Sequence, residues 1–386
     1  MTTVSEEQLL DAVKSLRVTL MTFDEDAANN PKELASRIRD DHPMWKKGVD
    51  VESVSKALQT IKDAEIPEYV PPEALYPLET MWSGVPAPSL AHDESVSFIG
   101  IHHAQGGLGS KGSYILARKV EGSALPGLLV MKESNPAFPA EVFASNVLRR
   151  MGLKAPQFQP LSLLEFKKLT WRLRSVPVTI KGTCSAIHQS RAQESGGVLM
   201  EFLSGRQLPE CDPVAFTNES VLRDLGRCMA VDIVLNCLDR TPIIWENKGN
   251  PTNILVAETH LSVIDSTYNR IANKDLAKKH VEKVKACAEE AKNGELGPHA
   301  ESIRRFLSNS TDSRVQLNDD QMKSVFKYFR EACEELVKNH TDIFESAAKE
   351  TREAFEKTKS STKALLDEAL KLDFCTECVL AMNVFN

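Results

Sequence analysis

Five charged or amide side chains stand at the ends of apolar runs, where such groups are costly unless they are paired or used. Lys132 closes the run Leu129-Val130-Met131, Glu141 opens the helical text AEVFASNVLRRMG, and Asp239 lies in NCLDR at the end of an apolar helix pattern. Asn253 precedes Ile254-Leu255-Val256, and Asp265 follows the apolar stretch from Leu261 to Ile264. An ammonium at the floor of a cleft binds nucleotide phosphates, and it is tolerated there when a carboxylate pairs with it, for which Glu141 is the candidate. An amide oxygen and a carboxylate at adjacent ends of a β-hairpin are hard donors, suited to a Mg²⁺ that also holds ATP phosphates. Asp239 is then left to orient or deprotonate an attacking hydroxyl, and the chemistry would be phosphoryl transfer.

The stretch GLGSKG, with Gly107, Gly109, Ser110 and Gly112, spells G-x-G-x-x-G. Glycine lets backbone amides approach phosphate oxygens, in dinucleotide folds and kinases alike. A dinucleotide turn must open a helix, whereas Ser113 to Val120 alternates like a strand, which favours a flap laid over phosphates. Plainer readings compete at each point. The glycines would also suit a hairpin turn, Lys132 a solvated strand end, and Glu141 a solvated helix face. A turn rich in Asp and Asn for backbone reasons accounts for Asn247 and Asn250, but not for a carboxylate following a buried-looking strand, as Asp265 does.

The elements that must position these groups fall into two lobes. Residues 95–133 read as three sequential strands, SVSFIGIHHA, SYILARKV and LLVMKE, an antiparallel meander. A helix over FPAEVFASNVLRRMG follows, then strand candidates near Phe158 and Val178 and the apolar run 197–203, giving a β-rich lobe holding one helix. Thr217 or Asn218 is placed to cap an apolar helix through Leu222, Leu225, Met229 and Ile233, and beyond Asp265 the text is helical and charged. The expected fold is α+β and bilobal, like a protein kinase. Its parts are a helical extension over 1–65, with Ser5 and Gln8 as a capping box, a proline-rich connector over 66–94, a β-rich N-lobe over 95–203 and a mainly α C-lobe over 204–386. The helices of the C-terminal third carry apolar faces, Val325, Phe329, Cys333 and Leu336 among them. They would form a helical floor or, alternatively, bind a partner.

Composition narrows the partners. The 386 residues carry 47 Lys and Arg against 54 Asp and Glu, a net charge of −7, so no global field favours nucleic acid or an anionic membrane. No apolar run approaches the roughly 18 residues of a membrane span, and MTTVSEEQLLDAVK lacks the pattern of a signal peptide, so a cytoplasmic protein is expected. The eight cysteines are irregularly spaced and suit reduced core thiols. The lone pair Cys375 and Cys378 reads as helix-end cysteines, with a metal or redox role as the sharper alternative.

Taken together, Asn236-x-x-Asp239-Arg240, the insertion TPIIWENKGNPTN, Asn253-Ile254-Leu255 and Ile264-Asp265-Ser266 resemble the catalytic domain of the actin-fragmin kinase family. These are atypical protein kinases whose core is related to phosphoinositide kinases, and the resemblance covers roughly residues 95 to 270. It implies an ATP- and Mg²⁺-dependent serine/threonine kinase in which Lys132 and Glu141 form the ion pair, Asp239 is the catalytic base, and Asn253 and Asp265 hold magnesium. Met200, Glu201, Phe202 and Leu203 would be the hinge that reads adenine through backbone groups, and the implied partner is a protein substrate, actin or an actin–capping-protein complex. A phosphoinositide or small-molecule kinase on the same core, or a pseudokinase scaffold, are the alternatives. Asp239 and Asn253 lie fourteen positions apart, against five in H-R-D-x-x-x-x-N, so an extra loop of nine residues must fold out between them. Leu238 stands where an arginine would grip a phosphorylated loop, and Asp265-Ser266-Thr267 replaces D-F-G, so a constitutively assembled site is expected. The inserted loop carries Ile243, Ile244 and Trp245, and would either brace the site or present Trp245 to the substrate.

Overall fold

A computed structural model of the chain describes residues 5–6, 8–10, 12–13, 30–41, 49–64, 85–86, 98–103, 113–121, 126–133, 137–173, 196–245, 247–294, 296–358 and 363–384. The glycine stretch with Gly107, Gly109, Ser110 and Gly112, the strand expected near Val178 and nearly all of the proline-rich connector lie outside the described residues.

Short, mainly apolar runs buried on both faces build the larger sheet. Strands β1 (Val85–Pro86), β2 (Phe98–His103), β3 (Ser113–Arg118), β4 (Gly127–Glu133), β5 (Phe158–Leu161) and β6 (Gly197–Glu201) belong to it, in the order β2-β3-β4-β6-β5. Neighbours along that path are antiparallel, as the meander reading expects, while β1 adds in parallel at Gly127 and Leu128. Side chains alternate across a strand, so Leu129 and Met131 join Tyr114, Leu116 and Leu199 in one core while Leu128 and Val130 join Ile115 and Phe202 in another. Lys132 has the parity of Leu128 and Val130, and it sits opposite Ser113 on one neighbour and Val198 on the other.

Among the described residues, two α-helices belong to this part of the chain, not one. Helix α3 (Phe138–Arg150) follows β4, and α4 (Leu163–Leu173), absent from the sequence reading, follows β5; the amino-terminal segment holds α1 (Pro31–Asp41) and α2 (Val51–Ala64). The local signal for α4 was present. Ser162 and Glu165 form a capping box, the Glu165 amide donating to Ser162 Oγ at 3.2 Å and the Ser162 amide to Glu165 Oε2 at 2.8 Å. Phe166, Leu169 and Leu173 then lie against the sheet face formed by Tyr114, Leu129 and Met131.

The remaining chain is mainly helical. Strands β7 (Arg206–Gln207), β8 (Ile254–Val256) and β9 (Leu261–Val263) form a small antiparallel sheet, and around it run α5 (Glu219–Leu235), α6 (Lys274–Asn293), α7 (Pro298–Ser310), α8 (Asp319–Thr358), α9 (Lys363–Ala369) and α10 (Asp373–Ala381). Asn218 caps α5 by accepting from the Ser220 amide. Buried Leu222, Leu225, Met229, Val325, Phe329, Cys333 and Leu336 share one core between α5 and α8. At Gly226 the two backbones approach so closely that a Cβ would stand 2.4 Å from the Val325 carbonyl oxygen. Leu34, Ile38, Val54 and Leu58 of α1 and α2 make a separate small core. Cys375 and Cys378 are buried free thiols on α10, and among the described residues no helix is long and apolar enough to cross a membrane.

Candidate functional site

Three elements converge on one ammonium. Lys132 Nζ, from β4, donates to Glu141 Oε1 at 2.5 Å and to Asp265 Oδ1. Glu141 stands in the first turn of α3, whose second residue is Pro139; Asp265 follows β9 in the left-handed region, with φ 52°. Asp tolerates that conformation better than most residues, and such backbone strain concentrates at functional sites. Lys132 and Glu141 are 12% and 10% exposed at their side chains, Asp265 37%, so the pair is nearly dry and its third member faces water. Burial disfavours the lysine charge, yet Glu141 and Asp265 more than offset it and hold its pKa above the usual lysine range. Burial pushes the Glu141 carboxyl up, against the pull of Lys132, with the Asp265 charge adding to the push.

Asp239 and Asn253 meet beside this cluster. The Asn253 amide nitrogen donates to the Asp239 carbonyl at 2.9 Å and to Asp239 Oδ2 at 3.1 Å, and Asn250 Nδ2 approaches the same oxygen at 3.4 Å. Those bonds orient the Asp239 carboxylate while its residue remains exposed. The Ile264 amide donates to the Asn253 carbonyl, so Asn253 and Asp265 are joined through one backbone bond and one peptide step. One amide oxygen and one carboxylate suit Mg²⁺, which takes one or two protein carboxylates together with substrate phosphates. Three or more His, Cys, Asp or Glu able to enclose a metal by themselves are not found among the described residues.

Behind both loops lies Arg240, a fully buried cation. Its guanidinium pairs with Asp232 of α5 at 2.5 Å, donates to the Ile264 carbonyl at 3.2 Å and donates to Ser266 Oγ. Burial opposes this charge, and Asp232 offsets the penalty and keeps the group protonated. One side chain thus ties the residue following Asp239 to the residues on both sides of Asp265.

A family model described as "Actin-fragmin kinase, catalytic" matches residues 97–341, nearly two thirds of the chain and every residue of the site above. This chain belongs to the actin-fragmin kinase catalytic family. No curated protein matches it. The family name is that of a kinase, a phosphotransferase that uses ATP.

Within this member of the actin-fragmin kinase family, the first part of the insertion between Asp239 and Asn253, residues 241–245, packs inward. Ile243 and Ile244 are buried, and the Trp245 ring stacks on His280 of α6 at 5.5 Å between centroids while its Nε1 donates to Asn236 Oδ1 at 2.9 Å. Gly249, at φ 62°, lets the loop return to the Arg240 carbonyl, which accepts from the Asn250 amide. Such packing is that of a brace. Asn236, the left-handed end of α5, also exchanges bonds with Asn269, its Nδ2 donating to the Asn269 carbonyl and Asn269 Nδ2 to its own.

At the expected hinge, Met200 and Glu201 end β6, Phe202 is buried and Leu203 follows, while the Glu201 amide is taken by the Gln157 carbonyl at 2.9 Å. The structure brings Lys132, Glu141 and Asp265 into contact and, separately, Asp239 and Asn253. Asp232 and the role of Arg240 escaped the sequence reading, although an aspartate inside the apolar run CMAVDIVL is a charge that demands a buried partner. Asp224, on the same helix, is a second such case, accepting from the Leu261 amide at 3.1 Å.

Proposed function

We propose that this chain is an Mg-ATP-dependent protein serine/threonine kinase of bilobal, kinase-like architecture, acting on a protein hydroxyl of actin or an actin complex. The observation that carries the reading is the Lys132 ammonium held between Glu141 and Asp265, with Asp239 and Asn253 bonded to each other next to it. Lys132 would bind nucleotide phosphates together with the Gly107–Gly112 stretch, and Asn253 and Asp265 would hold Mg²⁺. Bound Mg-ATP supplies the γ-phosphoryl group. Asp239, exposed and oriented by Asn253, receives the proton of the acceptor hydroxyl, and Glu141 keeps Lys132 from collapsing into solvent. Met200 to Leu203 would border the adenine. No phosphorylated loop is needed, because Leu238 stands where an arginine would grip one.

The reading is tested by incubating the purified chain with labelled ATP and Mg²⁺ and, separately, actin, a generic basic protein and phosphoinositide vesicles. Label on serine or threonine of actin ahead of the other acceptors is expected. Faster labelling of vesicles at matched enzyme would replace it with a lipid-kinase reading, and ATP binding without transfer to any acceptor would replace it with a scaffold.

A further inference from the structure

Helix α3 is buried all round: every residue from Phe138 to Leu148, eleven in succession, is shielded. A helix with that profile needs partners on every side. The sheet, α5 and Tyr268 account for part of its surface, and a further part is covered from beyond residue 341, where the family match ends. Phe355 near the end of α8 and Leu366 of α9 pack with Phe138, Val142 and Val198. Phe344 of α8 stands 6.4 Å from the Phe143 ring, Asn146 Nδ2 donates to Thr351 Oγ1 at 3.2 Å, and Arg150 pairs with Glu350.

The same C-terminal stretch reaches the segment following Asp265. The Tyr268 hydroxyl donates to the Lys371 carbonyl at 2.5 Å, and Arg270 pairs with Asp373 at 3.1 Å. Tyr268 in turn sets its ring edge against Phe143 at 5.6 Å, and its amide donates to the Ala140 carbonyl, one residue before Glu141. Glu141 and Asp265, the two partners of Lys132, are thus backed by one continuous piece of chain.

We infer that the end of α8, with α9 and the turn before α10, is a strap that holds Glu141 and Asp265 on Lys132, with Phe344, Thr351 and Phe355 as positioning residues. Its effect on turnover rests on the kinase reading; its effect on α3 does not. Outward movement of α3 would require the strap to unpack, so the strap keeps the ion pair assembled without a covalent switch.

Amide hydrogen exchange of peptides over 138–150 and over 219–235, in the whole chain, tests this. Phe355→Ala and Thr351→Val are each expected to speed exchange in α3 by roughly ten-fold or more while α5 keeps the parent rate, as a local opening does. Both should raise the KM for ATP more than they lower kcat, Phe355→Leu should restore much of the parent behaviour, and Lys349→Ala, on an exposed face of α8, should match the parent. Unchanged α3 exchange in both variants, or equal acceleration of α3 and α5, overturns the strap. If Phe355→Ala fails to fold, Thr351→Val, which removes only the hydroxyl that accepts from Asn146 and donates to the Ala347 carbonyl within α8, decides alone. A parent that neither binds Mg-ATP nor transfers phosphate defeats the kinase reading, and the exchange measurement still judges the strap.

Discussion

Two cation–carboxylate clusters lie on either side of the Asp265 loop, and they are built in opposite ways. Around Lys132 one ammonium faces two carboxylates, and the Asp265 side chain is 37% exposed. Around Arg240 one guanidinium faces one carboxylate, with the two side chains at 0% and 2%. The first cluster reaches the solvent edge through Asp265, where, in the proposed kinase, a divalent cation and a polyphosphate would be exchanged. The second is neutral, dry and rigid, and its planar fork reaches a carboxylate, a carbonyl and a hydroxyl at once, which a lysine's single nitrogen could not do with the same geometry. In the proposed kinase the first cluster must change partners and keeps contact with water, whereas the second holds loops in register and is dry.

The sharpest way to break this contrast is Arg240→Met. Removing one member of a buried pair leaves Asp232 uncompensated, at a cost of about 3 to 5 kcal/mol, and also frees the Ile264 and Ser266 contacts. A large fall in melting temperature together with loss of turnover is expected in thermal unfolding and phosphotransfer assays. Adding Asp232→Leu should recover part of the stability, since apolar replacement of a whole buried pair is often tolerated, without recovering turnover. Equal turnover in the double variant and the parent would show that the buried cluster does not position Asp265.

Asp239→Asn should affect only chemistry. The residue is exposed and an amide oxygen can still accept from Asn253, so folding should be unaffected while kcat falls by a factor on the order of 10² to 10⁴, the scale of lost general-base help. Parent-like kcat would remove Asp239 from the proposed mechanism. Trp245→Ala comes next in size. A fully buried aromatic costs about 3 to 5 kcal/mol, and Trp245 is half-buried, so a drop of several degrees in melting temperature is expected, with KM for the protein acceptor unchanged. A raised acceptor KM with intact stability would reverse the brace assignment. Smallest is Arg270→Ala, whose ion pairs with Glu368 and Asp373 are solvent-screened; no measurable change in melting temperature is expected, and a clear one would mean that this surface pair matters more to the strap than Tyr268.

Much of the scaffold was legible because its signals are local. Alternation from Ser113 and the apolar run Leu129-Val130-Met131 made two paired strands, Asn218 capped α5 as its position suggested, and β8 and β9 formed the hairpin that the apolar runs at 254 and 261 foretold. Helix α4 has its capping box written in Ser162-x-x-Glu165, but the strand candidates on either side of it, near Phe158 and Val178, hide that signal. Asp232 is obscured for a different reason. Its charge is hidden in an apolar helix, and nothing in the neighbouring text says that the partner is Arg240, eight residues on and past the helix end.

By itself, then, the sequence determined residue types, their order and the local elements that carry them: a lysine ending a strand, a glutamate opening a helix, an asparagine and an aspartate bracketing a hairpin. Only the tertiary structure decided which of them touch. Lys132 and Asp265 are 133 positions apart, and Asn146 and Thr351 are 205. Periodicity, capping and turn chemistry act over a few residues, whereas an ion pair forms where non-local packing brings two side chains together and removes the water between them. The direction of the Asp265 carboxylate, the burial of Arg240 and the backing of α3 by the chain's C-terminal stretch belong to that packing, and no local pattern encodes them.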